Sequence, residues 1–139
     1  MGSDFMTAEK LVLDCYALMA YFNDEPGAAK VEELLNQAKS RKMILLFSRI
    51  NWGEFYYSTV RIKGEIKARD VLNIVEQLPI EIVDVDKEQV FEAASFKARN
   101  KIAYADCFAA ALAKRENCPL VTGDKEFKAL ESEIKVIWL

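Results

Sequence analysis

A chain of 139 residues is the size of one domain, and 52% hydrophobic with 29% charged residues gives it the makings of a core, which excludes a disordered tail. A net charge of −3 argues against non-specific nucleic-acid binding, and no apolar run approaches the roughly 20 residues of a membrane span. The absence of histidine excludes Ser-His-Asp and Cys-His triads and every imidazole metal site, so hydrolytic chemistry would have to rest on carboxylates, lysine or an oxygen-bound metal.

Met1 to Phe5 reads as an expression-vector scar ahead of a natural start at Met6, which leaves residues 6–139 as a single domain. Leu11-Val12-Leu13 is a short apolar run ending at Asp14 and reads as a buried strand. Tyr16 to Phe22 predicts a short helix closed by Asn23-Asp24. Pro26 suits the first turn of a second helix, capped by Asp24 or Glu25, with Val31, Leu34 and Leu35 at helical spacing. Met43 to Phe47 predicts another strand. Ser48 can cap a third helix running to about Ile62, and Gly64 separates it from a fourth that Pro79 ends.

Ile80 to Val83 reads as a strand. Asp86 with Gln89 three residues on resembles a capping box opening a helix to about Ala98. Tyr104 to Glu116 predicts an alanine-rich, buried helix; Pro119 to Thr122 a strand; Gly123-Asp124 a turn into a short helix; and Ile134 to Trp138 a last strand. This alternation predicts a three-layer α/β fold, with a mostly parallel sheet of about five strands and helices on both faces.

Cys15, Cys107 and Cys118 are an odd number without metal-ligand spacing, each flanked by apolar residues. They read as small buried hydrophobes in a reducing compartment, and with no signal peptide visible the expected location is cytoplasmic.

Four acids hold places where acids are costly or geometrically favoured. Asp14 follows the first strand, at the strand end where open α/β sheets bind ligands, although it could equally cap the next helix. Glu54 sits among Trp52, Phe55 and Tyr56 on the third helix. Asp106 interrupts the apolar run from Ile102 to Ala113 with no basic residue within a helical turn, so its burial calls for a cation, a partner or a proton. Asp124 follows a strand and a glycine, where a turn aspartate is also common.

The order and wording of these acids resemble the PIN-domain ribonucleases, especially the VapC-type toxins of toxin–antitoxin modules. The segments that carry the resemblance are Val12-Leu13-Asp14, Ser48 through Glu54 to Tyr57, Tyr104-Ala105-Asp106-Cys107 to Ala113, and Val121-Thr122-Gly123-Asp124-Lys125-Glu126-Phe127. The resemblance runs from about Lys10 to the C-terminus. It implies that Asp14, Glu54, Asp106 and Asp124 form a catalytic and metal-binding cluster, with Thr122 as a supporting hydroxyl and Glu126 as an outer acid. Hard oxygen ligands suit Mg²⁺ or Mn²⁺, and a metal-activated water would hydrolyse an RNA phosphodiester. It further implies an antitoxin protein docked in an apolar groove, and a homodimer.

The family usually places serine or threonine and then a small polar residue after the first aspartate; here stand Cys15 and Tyr16. That departure sustains a rival from another class, a catalytically inactive PIN-like module that only binds RNA or protein. Receiver domains want adjacent acids after the first strand, and dehalogenase-like phosphatases want an acid where Tyr16 stands. Expected RNA contacts are Arg49 and the cluster Lys97, Arg99 and Lys101, with Tyr56, Tyr57 and Tyr104 as candidate stacking surfaces.

Overall fold

In the computed structural model, which describes residues 8–139, five strands pair in parallel. They are β1 (Glu9–Leu13), β2 (Met43–Ser48), β3 (Ile80–Val83), β4 (Leu120–Thr122) and β5 (Val136–Trp138), in the order β3-β2-β1-β4-β5. The Met1 to Phe5 segment and the Met6 start lie outside the described residues. The register sets Leu13 opposite Phe47 and Val121, so β1 and β4 end side by side. Between them the strand order reverses direction along the chain, which opens a crevice beyond their carboxyl ends.

Among the described residues six α-helices flank the sheet: α1 (Cys15–Phe22), α2 (Ala28–Lys39), α3 (Arg49–Lys63), α4 (Glu65–Gln77), α5 (Lys87–Arg99) and α6 (Tyr104–Glu116), with a 3₁₀ helix over Lys125–Leu130. Strand periodicity of two sends neighbouring side chains to opposite faces. Leu11 and Leu13 join Leu18, Leu34, Phe47 and Phe55 in one core, under α1 to α4. Val12 and Leu46 join Phe96, Phe108, Leu112 and Phe127 in the other, under α5, α6 and the 3₁₀ helix. The expected three-layer architecture is the observed one, with every strand pair parallel.

Two local expectations need correction. Pro26 does not begin α2: the helix starts at Ala28 behind Gly27, whose φ of +99° only glycine adopts readily, and no side chain caps it. A Cβ at Gly27 would also lie 3.0 Å from Leu139 Cβ, so the chain's last residue closes over this turn. The capping box is only half formed. Asp86 accepts from the Gln89 amide at 2.8 Å, but the Gln89 side chain reaches inward to Ala111 O instead of back to residue 86.

Candidate active site

The end of β1 turns directly into α1, and Asp14 serves as that helix's N-cap, its Oδ1 accepting from Ala17 N at 2.9 Å. Its other oxygen accepts from Thr122 Oγ1, the last residue of the neighbouring β4. Thr122 Oγ1 in turn accepts the Asp124 amide at 2.9 Å, so one hydroxyl ties the first acid to the backbone of the fourth. Asp124 caps the 3₁₀ helix through Oδ1, which accepts from Glu126 N at 3.0 Å. The capping reading of Asp14 and Asp124 and the site reading therefore hold together: capping occupies Oδ1 of each, and Asp124 Oδ2 accepts no hydrogen bond among the described residues.

Glu54 reaches the same edge from α3, half-buried, its Oε1 accepting from Asn51 Nδ2 at 3.2 Å. The other Nδ2 hydrogen of Asn51 goes to Ala105 O at 3.0 Å, on the first turn of α6. Asp106 follows on that turn, 7% exposed, and accepts no hydrogen bond among the described residues. Asp106, Asp124 and Glu126 form the tightest group, each offering an oxygen within 4.8 Å of the others. The expected set of four differs from this one: Glu126 stands in the tight group, while Asp14 and Glu54 adjoin it and are held by protein donors.

Burial pushes the Asp14 carboxyl up to about 7 against the pull of Thr122 and Ala17, with Asp124 and Glu54 adding repulsion. Asp106 rises further, to about 8, first from burial and then from repulsion by Asp124, Glu54, Asp14 and Glu126. Its place in the first turn of α6 should favour the ionised form, but a helix N-terminus contributes only about 0.3–1 kcal/mol. Desolvation and like charges outweigh that. Glu54 is also raised by burial, opposed by Asn51 and by the Cys15 thiol beside it. These acids repel one another without a cation and would be relieved by one. The open oxygens of Asp106, together with Asp124 and Glu126 at ligand spacing, fit a hard divalent cation.

The two departures at Asp14 take definite places. Cys15 is buried against Glu54, where a serine or threonine hydroxyl would otherwise stand. Tyr16 lays its ring on Gly123, where an added Cβ would lie 2.3 Å from Tyr16 Cε1, so the glycine between Thr122 and Asp124 makes room for it.

Most of the expected cationic contacts are already engaged. Arg49 pairs with Asp84 at 2.9 Å and sits 4.7 Å over the Trp52 ring. Lys97 donates to Ile102 O at 2.8 Å, and Arg99 pairs with Glu133 at 3.0 Å. Lys101, exposed between α5 and α6, makes no ion pair among the described residues. Tyr104 stands 45% exposed two residues before Asp106. Tyr57 lies under Arg61, and Tyr56 lines a groove of about 350 Å³ with Trp52, Gly53, Arg69 and Leu72.

Sequence reasoning missed Asn51. It is fully buried, and its Oδ1 has no partner among the described residues, an omission that typically costs about 1–3 kcal/mol. Its signal in the sequence is faint: a poor helix former three residues before an acid, which puts both on one helix face.

The PIN domain family matches residues 11–133 of the chain. No curated protein sequence matches it. Among solved structures it is similar to VapBC2 from Rickettsia felis, bound to a promoter DNA fragment, with a TM-score of 0.76 and 22% identity over 94% of this chain and 98% of that one. A DNA-bound VapBC from Salmonella typhimurium gives a TM-score of 0.75 and 16% identity over 93% and 97% of the two chains. VapC20 of Mycobacterium tuberculosis, described as a Sarcin-Ricin loop cleaving toxin, gives 0.71 and 16% over 86% and 93%.

Proposed function

The chain belongs to the PIN domain family, and from that premise we propose that it is a divalent-metal-dependent endoribonuclease, the toxin of a toxin–antitoxin module. The observation that carries this reading is the meeting of Asp106, Asp124 and Glu126 at ligand spacing beside Asp14 and Glu54, at the carboxyl edge of β1 and β4. Asp106 and Asp124 would hold Mg²⁺ or Mn²⁺, with Asp14, Glu54 and Glu126 binding it directly or through waters. A cation there supplies an acidified water and stabilises charge on the phosphoryl oxygens.

The residues of the chain have their own parts in this reaction. Thr122 orients Asp14 and, through its contact with the Asp124 amide, fixes the turn on which the fourth acid rides. Glu54, with Oε2 clear of the Asn51 hydrogen bond, would orient a water on the open side of the cluster. Lys101 and Tyr104 are exposed, five and two residues before Asp106 in the chain, and would serve to neutralise a phosphate and to stack on a base. The groove of Trp52, Tyr56 and Leu72 between α3 and α4 suits an apolar antitoxin segment, and two chains would form the active assembly in the cytoplasm.

The decisive experiment compares cleavage of single-stranded RNA by the wild type and a folded Asp106→Asn variant, with Mn²⁺ and with chelator. Turnover that needs the metal and disappears in the variant is expected. A wild type that binds RNA without cutting it under any divalent cation would replace this reading with the binding-only module.

A further inference from the structure

Asn51 links two elements that each bring an acid to the site. Its one amide nitrogen donates to Glu54 Oε1 at 3.2 Å and to Ala105 O at 3.0 Å, so a single planar group spans from α3 to the turn of α6 that carries Asp106. The residue is fully buried, and its Oδ1 goes without a partner among the described residues. An apolar residue of like size would remove that unsatisfied acceptor. Keeping a polar group at such a position fits a site-building role better than a packing role.

We propose that Asn51 is a positioning residue, which pins Glu54 against the first turn of α6 and so fixes the separation of Glu54 from Asp106 before any cation or RNA arrives. This rests on the metal-nuclease reading of the site. Without the amide, Glu54 keeps only the Cys15 thiol as a side-chain neighbour favouring its charged form, and its carboxylate is free to swing on α3. Asp14 has its own donors, Thr122 and Ala17, and does not depend on Asn51. The loosening is therefore confined to one side of the cluster. Residues that orient ligands from behind typically change metal affinity by about 10–100-fold when lost.

The test uses Asn51→Val, close in volume and without polar side-chain atoms, and Asn51→Ala should valine not fit. Three readouts are taken: Tm, Mn²⁺ affinity by calorimetry, and carboxyl carbon NMR signals of Glu54 and Asp14. A positioning role predicts an unchanged or raised Tm, Mn²⁺ affinity weaker by about tenfold or more, and a Glu54 signal that moves more than that of Asp14. A lowered Tm with wild-type Mn²⁺ affinity and an unmoved Glu54 signal would make Asn51 a packing residue and overturn the proposal.

The wild type supplies a check that needs no variant. Mg²⁺ should shift the Asn51 side-chain amide signals and leave those of the remote Asn36 and Asn73 in place; still Asn51 signals under saturating Mg²⁺ would count against it. If the wild type takes up neither ion, the metal-nuclease reading fails. The displaced Glu54 signal in Asn51→Val would still uphold the positioning role, and an unmoved one would end it.

Discussion

Replacing Asp106 by asparagine should stabilise the metal-free protein at alkaline pH while removing its response to metal. Asp106 titrates at about 8 in the fold against an ordinary 3.8. The folded state therefore holds a proton that the unfolded chain has already released between pH of about 4 and 8, and stability falls as pH rises through that window. The gap is about four pH units, which at about 1.4 kcal/mol each caps the loss near 6 kcal/mol. Part of it is mutual repulsion with Asp124, Glu54 and Asp14, which the neighbours share by keeping protons of their own. A measured difference of about 2–3 kcal/mol between the two proteins is therefore expected. The assay is urea unfolding with chelator at pH 5 and pH 8.5, repeated with Mn²⁺. Asp106→Asn should exceed the wild type only slightly at pH 5 and by the full difference at pH 8.5, while Mn²⁺ should raise only the wild-type midpoint. Parallel pH curves for the two proteins, or equal stabilisation by Mn²⁺, would refute the electrostatic argument.

Gly123→Ala should destabilise by about 1–3 kcal/mol, because its Cβ would fall 2.3 Å from the Tyr16 ring. Adding Tyr16→Ala should recover much of that, and additive losses in a double-mutant cycle would show that the clash is not the cause. With cleavage blocked by Asp106→Asn, Lys101→Gln should lower the salt slope of RNA binding by about one. Lys97→Gln and Arg99→Gln should leave the slope alone and lower the Tm, since their cations already serve Ile102 O and Glu133; equal slope changes for all three would contradict this division.

The strands and helices were legible because each announces itself locally. Ile80–Val83 and Tyr104–Glu116 fall where apolar runs and breakers put them, and strand–helix alternation implies parallel pairing. Asp106 was legible for the same reason, as the one charge in the apolar run from Ile102 to Ala113. Ranking the acids was not. Whether Glu126 or Asp14 joins Asp106 most closely depends on how β4 turns into its 3₁₀ helix beside β1, a contact between distant parts of the chain. Arg99 looks like a free cation in sequence, and only the fold brings Glu133 to it. Asn51 acts through two partners, one of them a backbone carbonyl 54 residues away that no side-chain pattern records.

The seam between β1 and β4 has a further consequence for how the molecule comes into being. Val12 pairs with Leu120, and Thr122 reaches Asp14 across 108 positions of sequence. Contacts of such separation form only after a large loss of chain freedom, late in folding. As the polypeptide leaves the ribosome, Asp14 and Glu54 exist long before β4 can zip in beside β1. A fragment that stops short of Leu120–Thr122 holds Asp14, Glu54 and Asp106 but lacks Thr122 and Asp124, so the cluster cannot close in it. Under the proposed activity such a fragment should not cut RNA, which leaves any hazard to the cell waiting on one strand that pairs late.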